Sequence, residues 1–138
     1  MRALGVDLGR SRTGLALSDP YGISCTPLEV LAERNEDELL QKIVQIAEDH
    51  QVVRIVVGLP RPLAGGTNRQ SEEVKVFVEA LSRRSSVPVA MWDERFTSKL
   101  AEGEEVPRKA RDRPRDSIAA CYMLQSYLDS QASRRRDI

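Results

Sequence analysis

Histidine is almost absent from this chain of 138 residues, which contains only His50. Cysteine is scarce too: Cys25 and Cys121 are the only two, and their spacing matches no metal-binding or redox motif. Zinc, which proteins bind mainly through histidine and cysteine, is therefore disfavoured as a cofactor. Carboxylates remain as the candidate general acids, general bases and metal ligands. We interpret His50 as a helix-ending residue and the cysteines as buried free thiols in a reducing cytoplasm.

Long hydrophobic runs and an excess of one charge are also lacking. No apolar segment approaches the roughly 20 residues of a membrane span, and the N-terminal residues show no signal-peptide pattern. With 21 basic and 21 acidic residues, the formal net charge is zero, so the overall charge does not steer the protein toward nucleic acid. These features predict one cytoplasmic globular domain over residues 1–130 that does not bind membranes.

The hydrophobic pattern predicts three consecutive strands, followed by helices and strands in alternation. The predicted strands cover residues 4–8, 13–18, 23–31, 52–57 and 87–92, and the predicted helices cover residues 36–50, 70–83 and 115–130. Strands joined by short turns pair antiparallel, whereas strands separated by helices pair parallel. We therefore expect an α/β fold with a mixed five-stranded sheet flanked by helices. Pro27 should lie at a sheet edge or a bulge, and Asn35 should cap the first helix with Glu38 as its capping-box partner.

Asp7 interrupts the apolar run Leu4-Gly5-Val6-Asp7-Leu8-Gly9. An unpaired carboxylate inside a strand is costly, and the cost is tolerable if a cation neutralises it in a wet site. Gly5 and Gly9 carry no side chains, so another group can approach the backbone on either side of Asp7. We interpret Asp7 as a metal ligand. The alternative is an aspartate that caps a turn at a strand end.

Further acids follow at positions that the predicted sheet brings toward Asp7. Asp93 and Glu94 come directly after the last strand, and ligands bind at the carboxyl ends of parallel strands. Because adjacent carboxylates point in different directions, only one of the two should face Asp7. Asp116 opens the last helix. As alternatives, Asp93 or Glu94 is a turn residue and Asp116 an ordinary helix N-cap.

Carboxylates that converge on one spot repel each other unless a divalent cation lies between them. Oxygen ligands without histidine or cysteine favour Mg²⁺ or Mn²⁺. Two such ions about 3.5–4 Å apart would support in-line displacement at a phosphodiester. The predicted catalytic residues are Asp7, Asp93, Glu94 and Asp116, and the predicted metal ligands among them are Asp7, Asp93 and Asp116.

Arginines near these acids and a basic region near the C-terminus are candidates for phosphate contacts. From Pro107 onward the chain has eight basic and four acidic residues. The predicted nucleic-acid-binding residues are Arg10, Arg12, Arg95, Arg108, Lys109 and Arg111. Arg95 has an alternative role in a surface ion pair. Residues 131–138 are expected to form a basic, disordered tail.

Five blocks of the sequence resemble the bacterial YqgF/RuvX family. They are Gly5-Val6-Asp7-Leu8-Gly9, residues 14–20, Val56-Val57-Gly58-Leu59-Pro60, residues 92–98 and Asp116-Ser117-Ile118-Ala119-Ala120. The resemblance covers nearly the whole chain. It implies a ribonuclease-H-like fold and a nuclease of pre-16S ribosomal RNA, with Holliday-junction resolution as a second described activity. It also implies that Asp7, one or both of Asp93 and Glu94, and Asp116 bind the metal.

The leading hypothesis is a metal-dependent nuclease that acts in 5′-end processing of pre-16S ribosomal RNA, as a monomer or a homodimer. The first alternative is a Holliday-junction resolvase acting on branched DNA. An ATPase of the actin/sugar-kinase type carries a similar Asp-Gly phosphate motif, but it needs a duplicated domain that 138 residues do not hold. A non-catalytic RNA-binding factor for ribosome assembly is the remaining alternative.

Overall fold

The computed structural model describes residues 2–60, 66, 68–96 and 115–136, without the side chains at positions 96, 115, 116 and 134–136. Within these ranges the elements are β1 (Ala3–Leu8), β2 (Thr13–Ser18), β3 (Cys25–Leu31), α1 (Glu36–Asp49), β4 (Arg54–Leu59), α2 (Arg69–Arg84), β5 (Val89–Asp93), a 3₁₀ turn (Glu94–Phe96) and α3 (Arg115–Arg136). Most of the loop at 61–67 lies outside the described residues, as do Arg108, Lys109 and Arg111.

The five strands form one mixed sheet in the order β3-β2-β1-β4-β5. Strand β1 pairs antiparallel with β2 and parallel with β4. Strand β2 pairs antiparallel with β3, and β4 pairs parallel with β5. The predicted mixed five-stranded sheet is therefore confirmed, with β1 at its centre.

Strand β3 is an edge strand with a bulge beside Pro27. Ala16 pairs with Pro27 and Leu15 pairs with Glu29, so Leu28 is an extra residue in β3. Proline has no N–H to donate to a ladder, which is why an edge and a bulge accept it. The strand begins at Cys25 instead of residue 23. The Asp19 carboxylate accepts a hydrogen bond from the Ile23 N–H at 2.8 Å, and this holds the preceding residues in a turn.

Helices α1 and α2 cover one face of the sheet. Asn35 caps α1 and accepts a hydrogen bond from the Glu38 N–H at 3.0 Å. Glu38 is not its capping-box partner, because the Asn35 N–H donates to Glu33 Oε1 at 3.1 Å. His50 forms the C-cap of α1, as expected. The main core lies between these helices and the sheet; its fully buried members include Leu4, Val6, Ile43, Ile55 and Leu81.

Strand β4 runs two residues later than the sequence pattern predicts. The Val52 N–H donates to the Ala47 carbonyl at the end of α1, so Val52 still belongs to the connection. The strand extends through Gly58 to Leu59. Gly58 therefore lies inside the sheet, beside β5.

Helix α3 covers the opposite face of the sheet and packs through Ala120, Met123, Leu124 and Tyr127. Ala119, next to the buried Ala120 in sequence, is exposed. The helix continues through residues 131–136, which the sequence assigns to the tail. These six residues contain no glycine or proline to end the helix. None of the helices in the described part of the chain is long and apolar enough to cross a membrane.

Candidate active site

Asp7 lies near the end of β1, on the face of the sheet that α3 covers. Side chains alternate along a strand, so Asp7 shares its face with Gly5, whose Cα lies close enough to α3 that an added Cβ would be 2.9 Å from Leu124 Cβ. On the neighbouring strand β2, Asp7 pairs with Gly14. Asp7 is half-buried, and the glycine opposite leaves space beside its carboxylate.

Glu94 lies on the same face of the sheet as Asp7. It follows β5, and β4 lies between β5 and β1. Trp92 of β5 faces α3, where its ring packs edge-on against Tyr127 with the centroids 5.7 Å apart. The strand ends one residue later, and the 3₁₀ turn brings Glu94 over Gly58. A Cβ at Gly58 would lie 2.7 Å from Glu94 Oε1. Gly58 therefore supplies the space that the Glu94 side chain occupies.

Asp7 and Glu94 form an interacting pair of carboxyl groups. The pKa of Glu94 is raised to about 8, first by burial, then by the charge of Asp7, by a hydrogen bond to Asp7 and by the charge of Asp93. Two carboxylates this close cannot both ionise at low cost. The pair consequently holds a proton near neutral pH, with protonated Glu94 donating to Asp7.

Asp93 points away from this pair and interacts with Arg95. Its Oδ1 accepts a hydrogen bond from the Arg95 backbone N–H at 2.9 Å, and its Oδ2 accepts from Arg95 Nη2 at 2.7 Å. Asp93 pairs with Leu59, which packs in the core on the α1/α2 face, so alternation turns Asp93 away from Asp7. Of the two adjacent acids, Glu94 is the one that meets Asp7, and the metal ligation predicted for Asp93 stays a prediction. Asp93 takes the alternative role of a turn residue.

Asp116 is the second residue of α3, and its side chain lies outside those described. Among the described side chains, no group of three histidine, cysteine or acidic residues is close enough to hold a metal ion. The structure thus brings two of the four predicted acids together, leaves Asp93 apart, and does not test Asp116. Position 116 precedes the buried Ala120 by about one helical turn.

The arginines predicted to bind phosphate differ in their surroundings. Arg10 and Arg12 lie exposed in the turn between β1 and β2, at the same end of the sheet as Asp7. Arg10 also lines a cavity of about 780 Å³ that Leu39 of α1 and Phe77 of α2 border, on the opposite face of the sheet. Arg95 is engaged by Asp93, which confirms its alternative role in an ion pair.

Gly58 was missed as a functional residue by sequence reasoning, which interpreted it as the end of a strand. A glycine inside a buried strand indicates the close approach of another group, and that signal could have found it. The identity of the approaching group depends on where β5 ends, which the sequence does not specify to one residue.

The sequence of the chain is similar to those of known proteins over nearly its whole length. The model of a family described as "RuvX: Holliday junction resolvase" matches residues 1–130. A protein of Desulforudis audaxviator named "Putative pre-16S rRNA nuclease" is 40% identical over 139 residues, covering 98% of this chain and 99% of the relative. A protein of Clostridium acetobutylicum with the same name is 38% identical, covering 94% of this chain and 99% of that protein.

Among solved structures, Thermus thermophilus RuvC in complex with a Holliday junction substrate superposes with a TM-score of 0.68 at 16% identity, covering 96% of each chain. At 16% identity, this likeness is evidence for the fold alone, and it confirms the expected ribonuclease-H-like architecture. The family match and the two relatives extend over nearly the full length. The chain therefore belongs to the RuvX family.

Proposed function

We propose that this protein is a metal-dependent nuclease that hydrolyses phosphodiester bonds, with Asp7 and Glu94 among the residues that hold the metal. The observation that carries the proposal is the Asp7–Glu94 pair. One carboxyl group comes from β1 and the other from the 3₁₀ turn after β5, on either side of β4, and they are held so close that the pKa of Glu94 rises to about 8. A divalent cation relieves that repulsion.

The donors at this site fit Mg²⁺ or Mn²⁺, because both are carboxylate oxygens and no histidine or cysteine accompanies them among the described residues. Asp116 is the proposed third ligand. A pair of such ions, when bound, would supply an activated water and stabilise the leaving oxygen. Gly58 supplies the space that the Glu94 side chain fills beside Asp7. Arg10 and Arg12 stand at the same end of the sheet to bind the phosphates that flank the cleaved bond.

The proposed substrate is the 5′ region of pre-16S ribosomal RNA, which follows the names of the relatives that are 38–40% identical. The alternative substrate is a Holliday junction, which the description of the family favours. A monomer suffices to trim RNA, whereas symmetric cleavage of a junction requires two active sites and hence a homodimer. We propose a cytoplasmic location, where ribosomal RNA is processed and where free thiols persist.

A cleavage panel tests the proposal. The full chain is incubated with Mn²⁺ or Mg²⁺ and with a pre-16S fragment, duplex RNA, single-stranded RNA, duplex DNA and a four-way junction, each end-labelled. We expect cleavage that EDTA stops and that Asp7→Asn and Glu94→Gln remove. Asp37→Asn is the matched control, because Asp37 is an exposed acid on α1 whose ion-pair partner is Arg84.

The products distinguish the candidate functions. Cuts confined to the pre-16S fragment support ribosomal RNA processing, and paired symmetric cuts in the junction support resolution of branched DNA. Binding to RNA without cleavage under every metal condition would contradict the nuclease proposal and would support a non-catalytic assembly factor.

A further inference from the structure

Two cysteine thiols lie in contact across the α3 face of the sheet. Cys25 opens the edge strand β3 and Cys121 lies in α3, and their Sγ atoms are 2.9 Å apart. Cys25 Sγ is also 2.9 Å from the Cys121 carbonyl oxygen. A disulfide has an S–S distance of about 2.05 Å, so the two sulfur atoms need to approach by only about 1 Å. Both cysteines are half-buried and unoxidised in this structure.

We propose that Cys25 and Cys121 form a reversible disulfide when the protein reacts with a hydroperoxide, and that this disulfide links β3 to α3. The chain has no other cysteine, so any disulfide within one molecule joins these two. The two cysteines are 96 residues apart in sequence, so no sequence motif identifies the pair. Only the fold brings the two thiols together.

The two thiols differ in reactivity. The hydrogen bond between the two thiols lowers the pKa of Cys121, whereas the same hydrogen bond and burial raise the pKa of Cys25. Since the thiolate is the nucleophile, Cys121 reacts first. Its sulfur attacks one peroxide oxygen, the O–O bond breaks, and the other oxygen leaves with a proton as water or an alcohol. Cys121 is then a sulfenic acid.

Cys25 completes the reaction. Its sulfur attacks the Cys121 sulfur, its proton is released to the departing hydroxyl group, and water leaves as the S–S bond forms. The two thiols together give up two electrons, which reduce one hydroperoxide. With hydrogen peroxide the products are one disulfide and two waters. A dithiol reductant reverses the oxidation by thiol–disulfide exchange.

The disulfide would lie at the end of the sheet opposite the candidate active site. Cys25 pairs with Ser18, the last residue of β2, whereas Asp7 faces Gly14 nearer the start of that strand. The disulfide therefore acts on β3, which has a partner strand on one side only. Gln125 Nε2 of α3 already donates a hydrogen bond to the Ile23 carbonyl oxygen at 2.8 Å, just before β3. The disulfide would therefore reinforce an existing contact between α3 and this edge of the sheet. We expect greater stability and an unchanged cleavage rate.

The test uses the full chain, reduced and freed of reductant, and treated with hydrogen peroxide before alkylation of the remaining thiols. We expect a monomer that has lost two hydrogen atoms, carries no alkylated thiol, and yields a Cys25–Cys121 cross-linked peptide. Its melting temperature should rise by about 10 °C and fall back with dithiothreitol. Covalent dimers, or a monomer that keeps both thiols, would overturn the proposal, and neither outcome depends on nuclease activity.

Single variants check the order of the two steps. Cys25→Ser retains the reactive thiol without its resolving partner, so a sulfenic acid should accumulate at Cys121 and be captured by dimedone. Cys121→Ser should give little dimedone adduct, because burial still raises the pKa of the Cys25 thiol. The reverse pattern contradicts the assignment of Cys121 as the attacking group. If a variant does not fold, the wild-type cross-link still decides the proposal.

Discussion

Glu94 and Asp7 interact across β4, and the glycine of that strand, Gly58, makes room for the Glu94 side chain. A larger residue at position 58 would keep Glu94 from its place beside Asp7, because a Cβ there would lie 2.7 Å from Glu94 Oε1. The pair is consequently unfavourable when both groups are ionised, and a proton or a cation is needed between them. This arrangement predicts that stability, metal binding and activity are coupled.

We expect the metal-free protein to lose stability as the pH rises from about 5 to about 8. Glu94 titrates at its ordinary pKa of 4.5 in the unfolded chain and at about 8 in the folded protein. Between these values the folded state binds the proton more tightly than the unfolded state, so the stabilisation present at low pH is lost as the pH rises through 8. Urea unfolding in EDTA at several pH values measures this.

Glu94→Gln isolates the contribution of Glu94, because it removes the titrating group and leaves the other acids in place. Its stability should change less with pH than that of the wild type, and it should be the more stable protein at pH 8. Mn²⁺ should stabilise the wild type at pH 8 and have little effect on the variant. Parallel pH curves for the two proteins would show that Glu94 has no raised pKa.

The adjacent acids Asp93 and Glu94 should differ sharply when substituted. Glu94→Gln should lower the cleavage rate by more than about 100-fold, because it removes a ligand, whereas Asp93→Asn should lower it by less than about tenfold. Asparagine at 93 keeps an oxygen for the Arg95 backbone N–H and loses only the ion pair. Cleavage rates at saturating Mn²⁺ measure the difference. Equal losses in both variants would return Asp93 to the ligand set.

Gly58→Ala should separate activity from stability. The added Cβ meets the flexible end of Glu94, so the side chain moves and the fold persists, with a change in unfolding free energy within about 1 kcal/mol. Displacing a reacting group by about 1 Å can cost about 100-fold in rate, and we expect a loss of that order in cleavage.

Gly5→Ala is the matched control in the neighbouring strand. Its added Cβ meets Leu124 Cβ at 2.9 Å and the Ala120 carbonyl oxygen at 3.3 Å, which belong to a packed helix. We expect it to destabilise the protein by about 1–3 kcal/mol. A Gly58→Ala protein with wild-type activity would show that the position of Glu94 does not matter.

The sequence was sufficient for the fold because its strongest patterns are local. The alternation of apolar residues in β1 and β2, the Asn35 cap and the edge position of Pro27 each depend on a few neighbouring residues, and the structure confirms them. The end of α3 was predicted less well. Residues 131–136 contain no glycine or proline, so no local signal in the sequence ends the helix at Ser130.

The choice between Asp93 and Glu94 depended on a single residue of register. Had the register of β5 shifted by one residue, alternation would have turned Asp93 toward the α3 face and Glu94 away from it. The role of Gly58 depends in turn on β4 extending to Leu59. Strand ends are set by tertiary contacts, so sequence patterns locate them only to within a few residues.

Asp112 and Asp116 lie on either side of the start of α3, and we expect only Asp116 to act in catalysis. The helix begins at Arg115, as the proline at position 114 predicts, so Asp112 precedes it and Asp116 belongs to its first turn. Positions 116, 120, 123 and 127 share one side at helical spacing, and Ala120, Met123 and Tyr127 are buried on the face that carries Asp7.

Asp116→Asn should therefore lower metal-dependent cleavage by more than about 100-fold and weaken Mn²⁺ binding, measured by calorimetry on the folded protein. Asp112→Asn should change neither, because Asp112 precedes the first residue of the helix in the sequence and lies outside its helical repeat. A helix N-terminus also favours negative charge, so a purely structural role for Asp116 would lower stability and leave the Mn²⁺ affinity intact. An active Asp116→Asn protein, or one that binds Mn²⁺ as tightly as the wild type, would remove Asp116 from the site and leave Asp7 and Glu94 as its only assigned ligands.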